Sequence, residues 1–187
     1  MKTALPPSIK FNMKIIPKAK KGDYPDYAEM YMKLLPDDGL ILQHLKDNFR
    51  MVKAFIYSLP PEKLLHRYAK NKWSIKEILV HIVDDERIFA YRALRFARNE
   101  QLNLVGFDQD AYALYSEADK RDLDNIFEEY EAVRNSTIAL FNGLPDASFD
   151  RMGHGTGTAN DATVRALAYH IAGHELHHIN FIKNNYL

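Results

Sequence analysis

The stretch that decides the fold runs from residue 73 to residue 98, WSIKEILVHIVDDERIFAYRALRFAR. Ser74 is followed three residues later by Glu77, the spacing of a capping box, in which the two side chains satisfy the free N–H groups of a helix start. Trp73 and Ile78 stand where they can staple across that cap. Behind it Ile78, His81, Ile82 and Phe89 recur at helical spacing, so a helix is expected from 74 to 98 whose apolar stripe carries one histidine.

Working outward, the same period appears three more times. Ile41, Leu45, Phe49, Val52, Ile56 and Leu59 predict a helix over 38–58, stopped by Pro60-Pro61. Leu123, Ile126, Phe127, Tyr130, Val133, Leu140 and Phe141 predict one over 121–142, ended by Gly143 and Pro145. The last is expected over 162–184. Residues 99–118 read as a crossover with a short helix; Gly106 to Asp110 lack the glycine and acidic spacing of an EF-hand loop. Gly153 to Thr158 are glycine-rich without the lysine of a phosphate loop, and are expected to be a flexible link. Four amphipathic helices with no strand alternation predict an all-α four-helix bundle, a scaffold that builds metal and cofactor sites from facing helices.

Composition narrows the function. The 187 residues are 47% hydrophobic and 27% charged, as in an ordinary globular domain. Lys plus Arg and Asp plus Glu each number 25, so no net field favours nucleic acid or an acidic membrane, and neither partner is expected. No window approaches the ~20 apolar residues of a membrane span, and the expected location is the cytoplasm. Cysteine is absent, which leaves histidine and carboxylate to carry any chemistry. Residues 1–21 hold six lysines and no acid and are broken by Pro6, Pro7 and Pro17, so a loosely docked basic arm is expected, with the bundle domain over 22–187.

Five of the eight histidines fall in the last 34 residues, and His170, His174 and His178 recur every four residues beside Leu167, Ile171, Phe181 and Ile182. Imidazoles on a buried stripe need partners. Residues i and i+4 lie ~5–6 Å apart at Cβ, within reach of one ion. His174 and His178 are therefore expected to chelate a divalent metal with His81 as third ligand, His170 and His177 standing behind them or at the surface. His174-Glu175-Leu176-His177-His178 also matches H-E-x-x-H, but no His, Asp or Glu follows it to complete a usual zinc peptidase.

The pattern resembles the DinB-like (DinB/YfiT-like) superfamily of metal-dependent enzymes. Trp73-Ser74, Glu77, His81 and Asp84 look like its W-S-x-x-E-x-x-x-H-x-x-D helix, and His174 with His178 look like its terminal H-x-x-x-H helix. The resemblance spans about residues 15–187. After its last histidine the family often has Arg-Gly, where this chain has Ile179-Asn180. What the resemblance implies is an up-down-down-up bundle, a bacterial source, a homodimer, and zinc or nickel on His81, His174 and His178. It also implies a small-molecule substrate, with thiol-dependent S-transfer using low-molecular-weight thiols among the family's activities.

Three histidines leave a coordination position open for water or substrate, the arrangement of catalytic zinc sites. Glu175, Asp84 and Asp85 are the candidate bases, or the groups that orient a ligand imidazole. The function expected is a metal-dependent transferase or hydrolase; the alternative is a noncatalytic metal-binding or stress-related protein on the same scaffold.

Overall fold

A computed structural model of the chain describes residues 13–156 and 161–187. A short helix α1 (Glu29–Met32) precedes the first long one, α2 (Ile41–Tyr57), followed by α3 (Ile75–Ala97), a short α4 (Gln109–Tyr115), α5 (Leu123–Gly143) and α6 (Val164–Asn185). The four long helices match the four expected from periodicity, and α4 is the short helix expected in the crossover. The capping box forms: the Ser74 hydroxyl accepts from Glu77 N–H at 3.1 Å, and the Glu77 carboxylate accepts from Ser74 N–H at 2.7 Å.

Contacts at the helix ends give the directions. The start of α3 lies beside the start of α5, with Lys76 donating to the Arg121 carbonyl, so these two run parallel. Tyr57 at the end of α2 donates to Asp124 at the start of α5, which makes α2 antiparallel to α5. Lys183 near the end of α6 sits 5.0 Å from the centre of the Phe55 ring near the end of α2, so these two are parallel. The order is up-down-down-up. Each long helix packs on two others, in the ring α2–α5–α3–α6, and the crossover between the parallel α3 and α5 accounts for the length of residues 98–122.

The apolar core falls into two clusters, one at each end of the bundle. Leu42, Phe96, Phe141 and Leu167 belong to the first; Val52, Leu79, Phe127 and Ile182 belong to the second. Between them lies a layer of buried polar groups from three helices: Asp85 and Glu86 of α3, Arg134 of α5, and His170, His174 and Glu175 of α6. Arg134 is the hub of one half of it. Its Nε and Nη2 donate to Glu86 at 2.9–3.1 Å, its Nη2 lies 3.2 Å from Glu175, and its Nη1 donates to the Leu45 carbonyl of α2. Tyr130 donates to Glu175 as well.

Two expectations need correction. Residues 1–12 of the expected basic arm lie outside the described residues, but residues 13–21 are not loosely docked: Ile16 is fully buried, its N–H donates to the Gly39 carbonyl at 2.9 Å, and its carbonyl accepts from the Tyr169 hydroxyl at 2.8 Å. Apolar Ile16 outweighs the lysines around it. The glycine-rich link is in part a built element. A two-residue β1 (Met152–Gly153) pairs antiparallel with β2 (Ala162–Thr163), and a Cβ at Gly153 would stand 2.0 Å from the Phe96 ring. Glycine is there to admit an aromatic ring; residues 157–160 lie outside the described residues.

Replacing Arg134 with methionine leaves Glu86 and Glu175 buried against each other without their cation, so a loss of about 3–5 kcal/mol in urea unfolding is expected. A loss below about 1 kcal/mol would show that the layer does not hold the helices together.

Candidate metal centre

The antiparallel packing of α3 on α6 brings His81 to His174 and His178. The Nε2 atoms of His81 and His174 are 3.2 Å apart, and those of His174 and His178 are 3.0 Å apart. All three residues offer a ligand atom within 4.8 Å of the others. Two nitrogens bound to one ion at ~2.0–2.1 Å in a tetrahedral arrangement stand about 3.3 Å apart, so the spacing suits a single small divalent ion. The donor set, three imidazoles and no thiolate, is one that divalent transition metals accept.

Burial keeps these imidazoles neutral. Burial pushes His178 down to about 3, with His81 and the other nearby imidazoles adding to the shift. Burial also lowers His81, against the pull of Asp85 and Asp110, and drives His174 well below its ordinary value. A metal needs neutral imidazole. Asp85 lies behind one of them: its Oδ2 is 3.3 Å from Nδ1 of His174 and 3.4 Å from Nε2 of His170, charge contacts that fall short of hydrogen-bond geometry. A carboxylate near Nδ1 favours the proton there and leaves the Nε2 lone pair for the cluster. His170 is stacked on Phe89, with centroids 3.7 Å apart and planes 5° apart, and stands behind the cluster as Asp85's second contact.

Of the three candidate bases, only Asp85 reaches the imidazoles. Glu175 is fully buried and engaged with Arg134 and Tyr130 on the other half of the polar layer. One residue on from His174 is a rotation of about 100° around the helix, which is why the H-E-x-x-H match does not deliver a base here. Burial pushes its carboxyl up, against the pull of Arg134. Asp84 is turned away by the same rotation from Asp85, half-buried, and paired with Arg87 at 3.7 Å.

Three groups at the site escaped sequence reasoning. Tyr31 of α1 packs edge-on against His170, His174 and His177 with centroids 5.0–5.5 Å away. Gly173 permits this approach, since a Cβ there would lie 2.5 Å from the Tyr31 carbonyl oxygen. Trp73, noticed for its staple position, lies 4.7 Å from the His81 ring. Asp110 enters from α4, whose first turn is capped by Asp108 accepting from Asp110 N–H at 3.0 Å and Ala111 N–H at 3.1 Å. The Asp108-x-Asp110 spacing was its only sequence signal. A cleft of about 460 Å³ is lined by His177, His178, Trp73, Phe181, Tyr186 and Asp110. The remaining histidines lie elsewhere: His44 pairs with Asp38 at 2.9 Å and His154 with Asp161 at 3.1 Å, while His66 packs on Tyr186.

An antiparallel helix pair carrying a three-histidine cluster, two of them buried and His178 half-buried, inside an up-down-down-up bundle defines a class of helical proteins built around one metal-sized site. The DinB superfamily signature matches residues 44–182, and the chain belongs to that superfamily. Its fold is also that of YfiT from Bacillus subtilis, described as "a probable metal-dependent hydrolase with an unusual four-helix bundle topology"; the two share 16% identity at a TM-score of 0.71, over 89% of this chain and 90% of that one. No curated protein matches the chain in sequence. Among the described residues no helix is long and apolar enough to cross a membrane.

The buried imidazoles give a pH test. In the unfolded chain His178 titrates near 6.5, in the folded chain near 3, so below 6.5 the unfolded chain takes up a proton that the folded one refuses. The contribution of His178 to the stability of the metal-free protein is therefore full above pH 6.5 and falls progressively towards pH 3. Denaturant unfolding as a function of pH should show a smaller fall across this window for His178→Gln; identical slopes for the two proteins would contradict the assignment.

Proposed function

We propose that the chain is a metal-dependent hydrolase of a small molecule, holding one divalent ion, zinc or nickel, on Nε2 of His81, His174 and His178. The observation that carries this is the convergence of three neutral imidazoles beside an open cleft, with His174 Nε2 3.2 Å from that of His81 and 3.0 Å from that of His178, and a ligand atom of each within 4.8 Å of the others. Membership of the DinB superfamily and the hydrolase description of YfiT support the class. When bound, an ion with three imidazole ligands keeps a position for water or substrate and brings the pKa of a bound water to about 7.

The chain's own residues do the rest. Asp85, 3.3 Å from Nδ1 of His174, places a negative charge behind that imidazole and favours the tautomer that leaves Nε2 for the ion. Asp110 takes the role of proton acceptor for which Glu175 is misplaced: it is exposed, lines the cleft, forms no ion pair among the described residues, and acts electrostatically on His81. Trp73, Phe181 and Tyr186 give the cleft aromatic walls for the apolar part of a substrate. Lys72 is a cation on the same cleft. That cation favours one second reading, transfer to a low-molecular-weight thiol bearing carboxylates, which Lys72 would hold while the same metal position holds sulfur.

Two outcomes check this. The protein should bind one zinc or nickel ion per chain, with His81→Ala, His174→Ala and His178→Ala losing it and His44→Ala, His66→Ala and His154→Ala keeping it; elemental analysis of protein prepared without a nickel column measures both. On a panel of ester, amide and thiol-plus-electrophile substrates, turnover should require metal and stop on chelation. Asp110→Asn should lower kcat about 100-fold or more with metal content unchanged. Turnover by metal-free protein would overturn the hydrolase, and silence of the loaded protein across the panel would leave a noncatalytic metal-binding protein.

A further inference from the structure

Arg92 of α3 is 2% exposed, and its Nη1 has no protein partner among the described residues. Its Nη2 donates over a long 3.4 Å to the Val105 carbonyl, and its guanidinium lies 4.7 Å over the Phe89 ring. No carboxylate pairs with it among the described residues, and residues 1–12 and 157–160 contain no Asp or Glu that could. Arg134, equally buried, has two carboxylates. A guanidinium stays protonated in proteins, and a buried charge without a partner is costly. Asp85 acts on Arg92 only from beyond ion-pair distance, so among the described residues no carboxylate contacts this buried cation.

It lines a cleft of about 400 Å³ together with Arg95, Asn103, Val105, Phe107 and Tyr112. The Arg95 Nε is also buried without a partner, although its two Nη atoms reach Tyr91 and Glu100. Phe107 and Tyr112 form an aromatic wall, with centroids 5.1 Å apart. This cleft shares no lining residue with the metal cleft, and α4 borders both, with Asp110 on one and Tyr112 on the other.

We infer that this second cleft binds a small molecule bearing a carboxylate or phosphate, with the oxyanion on Arg92 in place of the weak Val105 contact and the apolar body against Phe107 and Tyr112. Planar guanidinium recognises both oxyanions in a two-pronged, charge-assisted geometry.

The test is calorimetric titration of the full chain at low ionic strength with inorganic phosphate and, separately, benzoate. One saturable site per chain is expected for at least one probe, weakened about tenfold or more in Arg92→Gln. Asn103→Asp keeps Arg92 but sets a carboxylate in the cleft, and should weaken both probes while helicity and metal content stay unchanged; it carries the test where Arg92→Gln fails to fold. Tighter benzoate would support an organic carboxylate and tighter phosphate a phosphate group. The proposal is overturned if neither probe saturates by about 10 mM, or if folded variants bind as the wild type does.

Discussion

Burying charge in the middle of a helical bundle is the constraint on which this structure depends. Arg134 can leave water only because Glu86, Glu175 and the Leu45 carbonyl surround it, and those partners come from three other helices. Such a layer contributes little net stability compared with an apolar one of the same shape, yet it tolerates few alternatives, because any other register strands a charge. With α3 and α6 held at one register by Glu86 and Glu175, their neighbours in sequence, Asp85 and His174, meet on the other side of the layer. The three-histidine cluster and the ion network thus lie on two faces of the same helix pair.

The parts of this account legible in the sequence are those whose cause is local. The Ser74–Glu77 box and the four apolar stripes depend on residues within one helix, and the histidine spacing places His174 and His178 on one face whatever they pack against. His81 was legible because a lone histidine on an apolar stripe has to be satisfied by something. What was not legible depends on which segments meet. The approach of Tyr31 to Gly173, the ring of Phe96 over Gly153 and the burial of Ile16 join segments far apart in the chain, and none leaves a periodic trace. Glu175 shows the opposite failure: a motif read along the chain assigns it a base, while the turn of the helix assigns it to Arg134.

The site combines features that oppose each other in solution. Burial strips protons from His81, His174 and His178, which suits metal ligands and destabilises the metal-free fold in acid. Asp85 works against that burial at His81 and lies 3.3 Å from His174 and 3.4 Å from His170, so a buried negative charge stands beside the imidazole cluster. The open side, where Trp73, Asp110 and Lys72 stand, is where substrate selection would lie, and loops and α4 build it together with Phe181 of α6.

X-ray absorption at the metal edge of zinc- or nickel-loaded protein bears most directly on the central claim, that His81, His174 and His178 hold one ion and leave a position open. Three imidazole nitrogens at about 2.0–2.1 Å with one or two light oxygen neighbours are expected, and no protein-bound metal signal in His81→Ala. A spectrum with fewer than three imidazoles in the wild type, or one unchanged by that substitution, would contradict it.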